Sequence, residues 1–260
     1  MDNEKAASVA LGLREYAELY DDISTSVFSF ISMGTRAIVN IDAYVLASMA
    51  STLKSMATLV EMGSINDAYA LARKLDDAGT ISVYVTLYLE RNREPFKPPV
   101  EQIDDWLTGK KRLPSTRVIT SLVSQAEELA PVRPALATID KKALRDRCND
   151  HSHHNFFSLV LLNDGRIHHK KRTAWTTQLG TDVRDVVILH LGYLFCICPH
   201  YMLSSDYRDA LEMDMAPDAD SDTWVAPGIQ EFVSGEMEAR CPGILRALRD
   251  HTGMMLEHNL

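Results

Sequence analysis

Two arginines and three histidines fall within one ten-residue stretch, RDRCNDHSHH, as Arg145, Arg147, His151, His153 and His154. If the stretch is helical, Arg147, His151 and His154 stand at i, i+4 and i+7, so one face presents a guanidinium and two imidazoles. Leu144 and Cys148 then lie on the adjacent apolar side. An imidazole titrating near neutral pH can move a proton, and an arginine can hold phosphate oxygens bidentately. The set therefore suits acid–base work on a phosphodiester with no metal or other cofactor. Two other readings fit the same residues. Histidines at a helix end can cap carbonyls or stand in solvent, and HSHH could bind a transition metal. The metal reading lacks a carboxylate at ligand spacing on that face, and it would need His168 and His169 to fold back onto the site.

The stretch sits in a wider basic window. Lys141 to Arg172 holds eight Lys/Arg against three Asp, and five of the nine histidines, in a chain of net charge -9. Lys141, Lys142, His168, His169, Lys170, Lys171 and Arg172 are its candidate contacts to an RNA backbone. Such a local excess marks either a phosphate or nucleic-acid contact or an exposed basic turn. The acidity of the rest argues against extended duplex-DNA binding, which rewards a long cationic surface.

Several elements must position this window. Leu46, Met49, Ala50, Leu53, Met56, Ala57 and Val60 recur at helical steps, Gly63 supplies a stop, and Ser64 with Asp67 opens a second helix from Ile65 to about Arg91. That helix carries two stripes. Ala68, Leu71, Ala72, Leu75 and Ala78 lie on one side, and Tyr69, Arg73, Asp77, Thr80 and Tyr84 nearly opposite, so it is expected between neighbours with Arg73 paired to Asp77. The two-residue connection predicts an antiparallel hairpin whose second arm is about 40 Å long. Short helices are expected around Ile103–Leu107 and Thr116–Leu129, and Asp140 caps the helix leading into the histidines. FFSLVLL, Asn163-Asp164-Gly165 and RIHH together predict a small β-hairpin. Thr181 is expected to cap a helix over Val183–Leu203, and a last helix is expected near Ile229–His251. The acidic loop Asp214–Asp222 lacks the Gly and Glu of a calcium loop, because Thr223 and Ile229 stand at those places.

At 260 residues, 46% hydrophobic and 24% charged, the composition is that of a soluble globular chain. The N-terminus has no charged-then-apolar signal layout. The apolar run Val186–Pro199 is shorter than a bilayer span and contains His190, so no membrane partner is expected. Cys148, Cys196, Cys198 and Cys241 form neither a disulfide framework nor a zinc spacing, which fits a reducing cytoplasm.

The phrase LVEMGSINDAYALARKLDDAG, with an Arg-to-His motif about 70 residues later, resembles the HEPN superfamily, and most of all its bacterial members of unknown function. The resemblance covers roughly Val45 to Leu203. It implies an all-helical bundle, usually a homodimer, and in active members a metal-independent endoribonuclease whose motif is Arg, four to six residues, then His. In that scheme arginine steadies the phosphate and histidine transfers protons while the ribose 2′-OH attacks. Arg145 with His151, Arg147 with His153, and Arg147 with His154 all have the spacing. Asp146 gives the first pair the polar neighbour common in the family, whereas helical facing favours Arg147 with His154.

The expectation is thus an all-α bundle built on a long antiparallel helical hairpin, with a β-hairpin insertion near Leu159–His168. It is one domain over 1–260, with a HEPN-like core at about 45–203 and a helical extension over 204–260. The leading function is RNA cleavage or binding, which the resemblance alone implies would serve stress or phage defence. The rival is a non-catalytic helical interaction or dimerisation module.

Overall fold

The recurrence from Leu46 to Val60 is realised as one face of a helix, each of its seven apolar residues being at most 1% exposed. A computed structural model describes residues 2–30, 41–92, 101–163 and 171–258. Its α-helices are α1 (Asp2–Phe30), α2 (Ile41–Met62), α3 (Ile65–Asn92), α4 (Glu101–Leu107), α5 (Thr116–Gln125), α6 (Arg133–Leu136), α7 (Lys141–Ser152), α8 (Phe157–Val160), α9 (Arg172–Ile197), α10 (Ser205–Glu212), α11 (Pro227–Glu231), α12 (Glu238–Arg240) and α13 (Ile244–Thr252). No strand occurs among the described residues beyond an isolated bridge between Leu203 and Val225, and the fold is all-α.

The chain divides into two compact units, each discontinuous in sequence. The first comprises residues 1–21, 46–79 and 139–188; the second comprises 22–45, 80–138 and 189–260.

In the first unit, α1 presents Ala10, Leu13, Ala17 and Tyr20 inward at helical spacing. Arg14 makes a bidentate pair with Glu61 of α2, and Lys54 of α2 pairs with Asp21. By length and composition α2 is apolar enough to cross a bilayer, a property that core helices share, and half of its apolar window is buried. Gly180 of α9 lies close to α1, since a Cβ there would stand 3.2 Å from Val9. Asp140 caps α7 as expected, accepting from the Ala143 N–H at 2.9 Å.

The expected strand beginning at Leu159 is instead helical. Phe157–Val160 makes one α turn and Leu161–Asn163 a 3-10 turn. Leu159 and Leu162 are the buried pair, three apart, and Asn66 fixes the backbone by donating to the Leu159 carbonyl at 2.7 Å. The rest of the expected hairpin, 164–168, lies outside the described residues. Thr181 is no cap either. It sits inside α9 and bonds the Thr177 carbonyl, because α9 begins nine residues earlier at Arg172.

In the second unit, α9 stops at Ile197 and Pro199 opens a 3-10 turn, so the helix expected to reach Leu203 is shorter. The expected last helix is broken. A π turn spans Phe232–Met237, and α12 ends before Pro242. Gly243, at φ +89, then opens α13, and the Glu238 carboxylate accepts from the Gly243 and Leu245 N–H groups there. Asp42 is buried and accepts from Ser82, Thr86 and Tyr201, and burial raises its carboxyl pKa.

Candidate functional site

The candidate arginines and histidines lie on α7 and just beyond it, in the first unit, against the early part of α3 and of α9. The polar stripe on α3 meets α7 as its pattern required. Arg73 bonds Asp77 at 3.1 Å and also reaches Asn149 of α7 at 2.9 Å. Tyr69 is fully buried, with its hydroxyl directed at Asp182 of α9.

Both guanidiniums of the motif are held by carboxylates. Arg145 donates through Nη1 to Asp76 at 2.7 Å and through Nη2 to Asp77 at 3.1 Å, and Lys141 adds a second cation on Asp76 at 3.1 Å. Arg147 grips Asp182 bidentately, Nε to Oδ2 at 2.9 Å and Nη2 to Oδ1 at 2.6 Å, with Gln178 completing Oδ1 at 2.9 Å. This pair raises the Arg147 pKa, chiefly through the hydrogen bond to Asp182. Asp182 is 1% exposed whereas the Arg147 side chain is 29% exposed. The geometry leaves the Nη1 edge of Arg147 outside the bidentate grip.

His151 is structural in its surroundings. Its ring stacks on Tyr69 at 3.8 Å between centroids, meets Trp175 edge-on, and is 1% exposed. The Asn66 amide donates to the Leu159 carbonyl, so its oxygen must accept from His151 Nδ1 at 2.8 Å. The proton therefore sits on Nδ1 and the ring is neutral, with Nε2 buried and without a hydrogen-bond partner. Burial lowers its pKa to about 4, against the raising influence of Asp150 and Asp182. Burial likewise pushes the Cys148 thiol up to about 12.

His153 and His154 differ. α7 ends at Ser152, His153 is its C-terminal cap, and His154 turns into the left-handed region at φ +48. The i, i+4, i+7 face therefore stops short of His154. Both rings are exposed, as are Asn155, Phe156, Phe157 and Ser158. Of the other basic candidates, Lys142 pairs with Asp146, Lys171 is exposed, and Arg172 donates to the Leu162 carbonyl at 2.9 Å. His168, His169 and Lys170 lie outside the described residues. No three His, Cys, Asp or Glu groups able to hold a metal ion come together among the described residues.

Sequence reasoning missed Asn66, Asp76 and Asp182, which organise the site. Asp182 carried a signal. It stands on the buried face of α9 with Leu179, Val183 and Val186, where a carboxylate requires a cation partner. No protein-family model, curated protein or solved structure matches this chain.

Proposed function

We propose that the chain is a HEPN-like, RNA-directed helical protein in which Arg147, His153 and His154 carry the chemistry while Arg145 and His151 are scaffold. One observation supports this division. Within a single motif, Arg145 spends both terminal nitrogens on buried or half-buried carboxylates and His151 is sealed and neutral, whereas Arg147 keeps one guanidinium edge and His153 and His154 stand in solvent. In this reading Asp182 fixes Arg147 for a phosphate, and an exposed imidazole moves the proton of a ribose 2′-OH. The reading extends to a homodimer with the α7 helices at a shared cleft, an antiparallel α2–α3 hairpin, and a reducing cytoplasm. The four buried cysteines, none of them in a disulfide, suit that last setting.

The test is cleavage of a single-stranded RNA pool in EDTA. His154→Ala or His153→Ala is expected to lower turnover by about 10²–10⁴-fold without unfolding the chain. Arg147 is best read as Arg147→Lys, because full removal leaves Asp182 as an uncompensated buried charge at a cost of roughly 3–5 kcal/mol. Loss of activity in Arg145→Lys at unchanged thermal stability would overturn the division.

The pairing of Arg73, Lys141, Arg145 and Arg147 with internal acids favours a second reading, a non-catalytic interaction module. Absence of cleavage of any RNA by the wild type would select it.

A further inference from the structure

We propose that Phe156 and Phe157 form a stacking ledge beside His153 and His154 that takes unpaired RNA bases, so that the substrate class is single-stranded RNA. The inference rests on the RNA-directed reading above and deepens it. Phe156 is 59% exposed and Phe157 76%, an unusual display for two adjacent phenyl rings.

Their position relative to the histidines is set by bonds. Asn66 holds His151 through its oxygen and the Leu159 carbonyl through its nitrogen, which closes the exposed run 153–158 into a loop pinned at both ends. Asn155 shapes the middle, its N–H and side-chain amide both donating to Asp150. Beyond the rings, Arg172 donates to the Leu162 carbonyl and holds the following turn. Aromatic faces beside two exposed imidazoles fit a strand whose bases stack on the rings while its backbone meets the histidines. A duplex hides its base faces and offers nothing to the rings. These rings alone do not hold a second protein copy, since a stable dimer buries about 800 Å² per partner and two partly exposed phenyl rings supply well under that.

The experiment is fluorescence anisotropy with a short 2′-O-methyl oligoribonucleotide, which binds without being cut, alone and as its blunt duplex. The wild type is expected to hold the strand at least about tenfold tighter than the duplex. Phe157→Ala and Phe157→Leu should each weaken strand binding by roughly 5- to 150-fold, the range of one base–aromatic stack, with Phe157→Trp near wild type. Three results would overturn the ledge: equal affinity for duplex and strand, wild-type affinity in Phe157→Leu and in Phe156→Ala, or a change of oligomeric state in Phe157→Ala by light scattering. With strand binding retained, these leave the RNA reading intact. Failure of the wild type to bind any RNA removes both.

Discussion

At His151 one side-chain amide decides a protonation state. Because Asn66 gives its nitrogen to Leu159, its oxygen demands a proton on His151 Nδ1, and the sealed ring has no partner for a second proton and the charge it would bring. The consequence is a pH dependence of stability. An unfolded histidine titrates near 6.5, and this one titrates at about 4 when folded. Between those values the unfolded chain takes up a proton that the folded chain refuses. Its contribution is therefore intact above about pH 6.5 and lost as pH falls toward 4. By pH 5 the loss should be about 2 kcal/mol. Urea midpoints at pH 7.5 and 5 should show a steeper fall in wild type than in His151→Gln. Parallel behaviour of the two proteins would mean that the ring is hydrated or charged in the fold.

At the scale of elements, the junction of α2 and α3 depends on a single backbone conformation. Gly63 sits at φ +79, its N–H on the Val60 carbonyl and the Ser64 N–H on the Leu59 carbonyl, the paired bonds of a Schellman stop. A Cβ on Gly63 would meet nothing within 4 Å, so Gly63→Ala tests the backbone alone. It should cost about 1–2 kcal/mol, with Gly63→Asn costing less, read as a lower urea midpoint at unchanged slope. This stop was legible because glycine punctuates a long regular stripe. α1 is equally periodic, with Ala10, Leu13, Ala17 and Tyr20 buried, but two of these four are alanine, so its stripe carries less apolar contrast than that of α2. FFSLVLL was misread for a different reason. Its apolar density suits a strand, and the contact that decides otherwise comes from Asn66, 93 residues away in sequence. The candidate site divides in the same way. The Arg73–Asp77 pair lies within one helix and could be foreseen, whereas the partners of Arg145 and Arg147 lie 35 to 69 residues off, and helical period carries no record of them.

For the whole molecule the deciding quantity is where its charge is spent. The chain carries a net -9, and four of the eight cations in the basic window that stands out against it, Lys141, Lys142, Arg145 and Arg147, are paired internally with Asp76, Asp77, Asp146 and Asp182. On the RNA-directed reading proposed above, affinity must come from a few phosphates near the end of α7 and from stacking, with the acidic remainder opposing any long electrostatic footprint. Each phosphate neutralised on a single strand contributes about -0.7 to the slope of log K against log salt. Roughly three contacts then predict a slope near -2, and stacking should leave substantial binding at high salt. Titrations of the non-cleavable strand across salt concentrations measure it directly. A slope steeper than about -5 would require an extended cationic surface, which the internal pairing of these residues does not provide, and would mean that the carboxylates release their arginines when RNA arrives.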